Sequence, residues 1–120
     1  MDFRPLIGHG SRSGIEFFSG LHSADEIRQA FNLFEKEPKQ LISLCCHSGC
    51  AAMAAKISES PGISHVLAPE QAIPNYYAAH FILGYLIDFF FESESIPEAV
   101  DRAKMRDDKQ SFVVWENGKR

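Results

Sequence analysis

Cys46 and His9 are a thiol and an imidazole, the pair that nucleophilic acyl transfer needs, and each follows a short apolar run. A free thiol has a pKa of about 8.5 and stays a weak nucleophile until a base takes its proton. A histidine within hydrogen-bond reach supplies that base and later protonates a leaving amine. The tetrahedral intermediate of such a reaction also needs backbone N–H donors aimed at its oxyanion. Gly10, with no side chain, can bring its amide close, and the amide of Cys46 is the second candidate donor. Gly49 lets the chain turn sharply after Cys46 into a helix whose N-terminus would favour a thiolate. The bland alternative is a structural cysteine and an unrelated histidine, because cysteine is among the most buried residue types.

For these groups to meet, two strands must end side by side. Pro5 to Gly8 is an apolar run leading straight into His9-Gly10, and Leu41 to Cys45 leads into Cys46. Continuous apolar runs of this length suit strands covered on both faces, as parallel strands are. The segment between His9 and Cys46 is long enough for a crossover between parallel neighbours. Within it, Ser11-Arg12-Ser13-Gly14 is a loop by composition, and Ile15 to Phe18 a small strand closed by Ser19-Gly20. Ser23 and Glu26 form a capping box, and Ile27, Ala30, Phe31 and Phe34 follow at helical spacing before Pro38.

Beyond Cys46, the pattern predicts an alanine-rich helix over Ala51 to Ile57, broken by Ser60-Pro61-Gly62. Ile63 to Ala68 is a further buried strand, and Asn75 to about Phe91 a long apolar helix. Ser95 with Glu98 makes a second capping box, with Pro97 in the first turn, and Phe112 to Trp115 is a closing strand. Strands alternating with helices predict a single α/β layered domain over residues 1–120 with a mainly parallel sheet. Active groups on such sheets gather outside the carboxyl ends of the strands. The aromatic helix carrying Tyr76, Tyr77, Phe81, Tyr85, Phe89, Phe90 and Phe91 reads as core. Its apolar residues occupy more than one face, which suits cover from both sides, the outer one by another subunit.

Composition excludes several partners. Twelve Lys and Arg are scattered among sixteen Asp and Glu, for a net charge of −4, where phosphate binding asks for a basic stripe. No run reaches the ~18 apolar residues of a membrane span, and Phe81 to Phe91 is interrupted by Asp88. The first residues lack the basic and then apolar layout of a signal peptide. Three cysteines, two of them adjacent, suit free thiols in a reducing compartment. The expectation is a cytoplasmic protein with neither nucleic acid nor membrane as partner.

Other chemistries compete for the same residues. Cys46, His47 and Cys50, joined by His9 or Cys45, are zinc-ligand types, but they form one cluster where structural zinc sites use two ligand pairs. Gly8, Gly10 and Gly14 approach the spacing of a dinucleotide loop, yet the strand-like Ile15-Glu16-Phe17-Phe18 follows where a helix must open. Cys46 to Cys50 has the outline of a serine nucleophile elbow without a downstream acid and histidine. His22, His65 and His80 read as structural or surface residues. No metal and no cofactor is expected.

Leu41-Ile-Ser-Leu-Cys-Cys-His-Ser-Gly49 resembles the apolar strand followed by Ala-Cys-Glu-Thr-Gly in CHAT-type members of the caspase-like clan of cysteine peptidases. Leu6-Ile-Gly-His-Gly10 is similar to the strand that ends in that family's catalytic His-Gly. Val66-Leu67, Ala72-Ile73-Pro74, Ala78-Ala79, Phe81, Gly84-Tyr85 and the run Ser95 to Val100 resemble its later strand, loop and helices, in the same order. The resemblance implies a layered α/β/α caspase-like fold, shortened at its N-terminus by two strand-helix units. It implies a cysteine endopeptidase with Cys46 as nucleophile, His9 as proton shuttle and the Gly10 and Cys46 amides as oxyanion donors. The partner would be a protein or peptide substrate, with Glu70 a candidate for receiving a basic side chain. A second copy or another chain would complete the sheet. The alternative is an inactive caspase-like domain serving as an interaction or assembly module.

Overall fold

The computed structural model describes residues 3–17, 19–34, 39–91, 96–105 and 111–120. Strand β1 (Phe3–Leu6) leads into three short strands, β2 (His9–Gly10), β3 (Ile15–Phe17) and β4 (Gly20–His22), then helix α1 (Ala24–Phe34) and β5 (Lys39–Ser43). A π-helical turn, Ala51–Ala55, runs into α2 (Lys56–Ser58). Strand β6 (Ile63–Pro69), helices α3 (Asn75–Phe91) and α4 (Ile96–Met105), and β7 (Phe112–Trp115) follow. One sheet has four strands in the order β1-β5-β6-β7, and the other has three in the order β2-β3-β4.

The expected mainly parallel sheet is corrected by the pairings. β1 with β5 and β5 with β6 are parallel, whereas β6 with β7 and both pairs of the small sheet are antiparallel. The architecture is therefore mixed α/β. Helix number explains the reversal at β7. The helical segment between β5 and β6 carries the chain back to the starting edge, so the next strand runs parallel. α3 and α4 instead pack against each other between β6 and β7. That out-and-back path returns the chain to the end it left, with Phe112 opposite Pro69. The small sheet arises because the run expected to end in His9 divides: β1 stops at Leu6, and His9 pairs with Glu16 in a separate hairpin.

The large sheet is covered on both faces. Leu41, Val66, Ala68 and Val113 face a core completed by Ile27, Met53 and Ile57. Ile42, Leu67 and Phe112 face a second core with Ala78, Phe81, Tyr85, Ala99 and Ala103. The alternation of Leu41 with Ile42, Val66 with Leu67 and Phe112 with Val113 is the period of two that a strand imposes. In the second core Phe81 stacks on Phe112, ring centroids 3.9 Å apart. The first capping box forms as expected: Glu26 N–H donates to Ser23 Oγ at 3.2 Å and Ser23 N–H to Glu26 Oε1 at 3.3 Å. Ser95 of the second, together with Phe18 and Pro38, lies outside the described residues.

At the edge, β1 carries Pro5. Leu6 C=O accepts Leu44 N–H at 3.0 Å, so Leu6 faces β5 and the Pro5 nitrogen, which bears no hydrogen, faces outward. That removes one donor from the outer edge of this end strand, a common protection against unwanted strand pairing. Among the described residues no helix is long and apolar enough to cross a membrane.

One polar pair is buried between the layers. Gln40 of β5 and Tyr85 of α3 are both fully buried, and Gln40 Nε2 donates to Tyr85 Oη at 2.6 Å. Burial pushes the Tyr85 phenol up to about 12, against the hydrogen bond from Gln40, which lowers it. The folded state thus disfavours phenolate, and this contribution to stability is complete below the ordinary value of 10.0 and is lost as pH rises toward about 12. Tyr85→Phe should cost about 1–3 kcal/mol in urea unfolding, because the Gln40 amide loses its acceptor in a dry site. A phenol titration by ultraviolet absorbance should show one late-ionising tyrosine that this variant lacks.

Candidate active site

Leu6 and Ser43 end β1 and β5 in register, so the two chains leave the sheet together at its carboxyl end. The first passes through Ile7-Gly8 into β2 and carries His9. The second turns through residues 45–49 and carries Cys46. The two segments meet at Gly10. A Cβ there would fall inside the van der Waals shell of the Cys46 carbonyl oxygen and only 2.9 Å from the Cys46 carbonyl carbon and nitrogen. No other residue type fits without moving one backbone. His9, Gly10 and Cys46 line one cleft of ≈ 460 Å³, walled by Ile7, Gly8, Leu44 and, from α3, Ala78 and Ala79. His9 is exposed and Cys46 half-buried.

The Gly10 amide is oriented by the hairpin. Ser11 N–H donates to Gly14 C=O at 2.9 Å, and hydrogen-bonded pairs alternate along an antiparallel ladder. Gly10 opposite Ile15 therefore falls at a non-hydrogen-bonded position, with its N–H directed away from β3.

The two adjacent thiols differ sharply. Cys45 is fully buried, and its S–H donates to Leu6 C=O at 3.4 Å. Burial pushes the Cys45 thiol up, partly offset by hydrogen bonds with Ser43 and the Gly8 backbone. Cys46 lies in the cleft wall, and its S–H donates to Ile73 C=O at 3.6 Å, on the loop before α3. That carbonyl and the alanine wall of α3 are parts of the site that no side-chain motif marks. All three cysteines are free.

The turn after Cys46 departs from expectation in two ways. The left-handed conformation falls on His47, at φ 62°, and not on Gly49. His47 N–H donates to Gln71 C=O at 3.3 Å, and its buried Nδ1 has no partner among the described residues. Gly49 is required for close approach instead, since a Cβ would stand 2.6 Å from Ala68 C=O. Gly49 N–H donates to Pro69 C=O at 2.7 Å, and Trp115 Nε1 donates to Gly49 C=O at 2.8 Å. Ser48 Oγ donates to Cys45 C=O at 2.6 Å, bracing the turn from within. The helical segment begins at Ala51, so residues 47–50 separate it from Cys46, and a helix dipole fades within about one turn.

Other candidate residues stand apart from the cleft. Among the described residues no group of three or more His, Cys, Asp or Glu side chains is placed to hold a metal ion. Glu70 is engaged by Arg120, Oε2 to Nη1 at 2.8 Å, and does not line the cleft. His65 pairs with Glu116 at 3.4 Å, and His80 is exposed on α3. His22 sits on β4, hydrogen-bonded to Ser19 and Glu26.

Comparison with known protein families and with curated proteins finds no match to this chain.

Two measurements probe this geometry. Alkylation by iodoacetamide near neutral pH should modify Cys46 well before Cys45, which is both inaccessible and held protonated. Gly10→Ala should cost about 1–3 kcal/mol by forcing apart two packed backbones, measured by thermal or urea unfolding.

Proposed function

We propose that this chain is a caspase-like domain of layered α/β/α form and acts as a cysteine endopeptidase on protein or peptide substrates. The observation that carries this reading is the convergence of His9, Gly10 and Cys46 on one cleft at the carboxyl end of a parallel strand pair. Cys46 Sγ attacks the scissile carbonyl carbon while its proton passes to His9, leaving the Ile73 carbonyl that holds it at rest. The oxyanion takes hydrogen bonds from the Gly10 and Cys46 amides. His9 then protonates the departing amine, and water, deprotonated by His9, releases the acyl group from the thioester. Hydrolysis by this route uses no cofactor. A free, half-buried nucleophile thiol suits a reducing compartment, which supports a cytoplasmic location.

A second reading, an inactive caspase-like domain that serves as an assembly module, draws on one different observation. Tyr76, Leu83, Ile87 and Phe90 are exposed on α3 at spacings of one helical face. A second copy or a partner chain covering that stripe would bury it. The outer edge of β1 is a poorer contact because of Pro5.

Pooled fluorogenic peptides and an electrophilic thiol probe separate the two. Under the peptidase reading, Cys46→Ala abolishes cleavage and labelling, His9→Ala lowers cleavage by about 10²–10⁴-fold, and Cys45→Ser keeps both. Inert wild type combined with an oligomer that Leu83→Asp dissociates in sedimentation would reverse the conclusion in favour of the module.

A further inference from the structure

A second set of residues has the geometry of acyl-transfer chemistry, away from the Cys46 cleft. Ser19 Oγ and His22 Nε2 are 2.7 Å apart, and His22 Nδ1 and Glu26 Oε2 are 3.0 Å apart. A hydroxyl on one imidazole nitrogen and a carboxylate on the other is the order of groups by which serine hydrolases make an alcohol nucleophilic. From this alignment and the apolar pocket beside it we propose that Ser19, His22 and Glu26 form a separate ester-hydrolysing site for short apolar acyl esters.

Local folding holds the three groups in place. The hairpin of β3 and β4 brings Ser19 beside His22, and His22 lies one residue before the Ser23 cap of α1. The capping box occupies Glu26 Oε1, leaving Oε2 for His22. The Phe17 ring lies 5.9 Å from the His22 ring, centroid to centroid, and limits its rotation. Hydrogen bonding to His22, and next to the Ser23 backbone, holds the Glu26 carboxyl below its usual range, so it remains an acceptor for His22 Nδ1–H. Ser19 is exposed, and among the described residues no atom other than those of Gly20 and its chain neighbours lies within 4 Å of where a side chain on Gly20 would begin, so there is open space beside the hydroxyl.

The pocket sets the substrate class. It has a volume of ≈ 260 Å³, with Leu6, Phe17, Ile27, Ala30 and Phe31 as apolar walls and the three polar residues at its rim. This is below the ~300–1,000 Å³ of pockets that hold drug-sized ligands, and it suits a short acyl chain. Ser19 Oγ adds to the ester carbonyl carbon as its proton passes to His22 Nε2. The carbon–oxygen bond to the alcohol breaks, and the alcohol leaves with that proton. Water then adds to the acyl-serine, giving its proton to His22, and the acid departs as Ser19 Oγ regains a proton. Ester and water become acid and alcohol. Ser19 and His22 are the catalytic residues, and Glu26 is a positioning residue acting through His22.

The test uses the full chain, p-nitrophenyl butyrate and a fluorophosphonate probe. Wild type should hydrolyse the ester and carry the probe on Ser19 by peptide mapping. In the Cys46→Ala background, Ser19→Ala and His22→Gln should each lower kcat/KM by roughly 100-fold or more. Glu26→Gln keeps a capping side chain but removes the charge beside His22, so the acid limb of the pH profile should move to lower pH. A residue that only braces the hairpin would leave that limb in place. Ester hydrolysis on Ser19 should persist in Cys46→Ala, where the cleft thiol no longer contributes, which separates this site from the peptidase cleft. No hydrolysis and no probe labelling in wild type would overturn the proposal. So would hydrolysis that survives Ser19→Ala made in the Cys46→Ala background, in protein shown folded by circular dichroism, or that disappears with Cys46→Ala alone.

Discussion

The contact between Gly10 and the Cys46 peptide is the tightest constraint on the candidate cleft. Both segments start from paired strand ends, Leu6 beside Ser43, and must leave the sheet without colliding. They do so by packing backbone on backbone, which a hydrogen at position 10 permits and a methyl group does not. Once the two chains touch there, His9 on one and Cys46 on the other fall onto the walls of the same cleft. Placement of the pair is thus a property of main-chain packing, and the walls from α3 follow from how that helix covers the sheet.

The turn that carries Cys46 is costly in isolation. A non-glycine residue in the left-handed region is disfavoured by roughly 1–2 kcal/mol, and His47 stands there. What offsets this is anchorage at both ends. Gly49 is held to Pro69 of β6 and Trp115 of β7, and His47 to Gln71 just beyond β6. The strands supplying those anchors are buried on both faces, and buried side-chain hydrogen bonds from Gln40 to Tyr85 and between Ser43 and Ser48 tie the neighbouring β5 to α3 and to the turn itself. A rigid sheet therefore supports a strained turn, the arrangement in which local strain persists.

Adjacent cysteines illustrate how a one-residue step separates a core position from a cleft position. Cys45 points into the core and donates to Leu6, where burial keeps it protonated. Cys46 faces the cleft. Histidines divide in the same way: His9 lies in the cleft, while His22 is tied between a serine and a glutamate on the other side of the hairpin. The same short hairpin thus contributes to two distinct polar arrangements, one through β2 and one through β4.

Local signals in the chain determined much of the secondary structure. The Ser23–Glu26 box opens α1, the apolar stretch after Pro74 becomes α3 over Asn75–Phe91, and Phe112–Trp115 is the last strand. These elements are written in nearest-neighbour chemistry: caps, periodicity and breakers. Strand direction is not local. β7 runs antiparallel because α3 and α4 pack as a pair, and no residue in Phe112–Trp115 differs for one direction or the other. The division of the first apolar run into β1 and β2 depends likewise on partners distant in sequence, Gln40 to Ser43 for one and Ile15-Glu16 for the other. Residue types at positions 9, 10 and 46 named a possible chemistry. Only the folded chain decided that they share a cleft, that the thiol rests on the Ile73 carbonyl, and that Ser19, His22 and Glu26 align. Each is a contact between groups whose approach is set by sheet register and helix packing, quantities that the order of residues along a chain does not display.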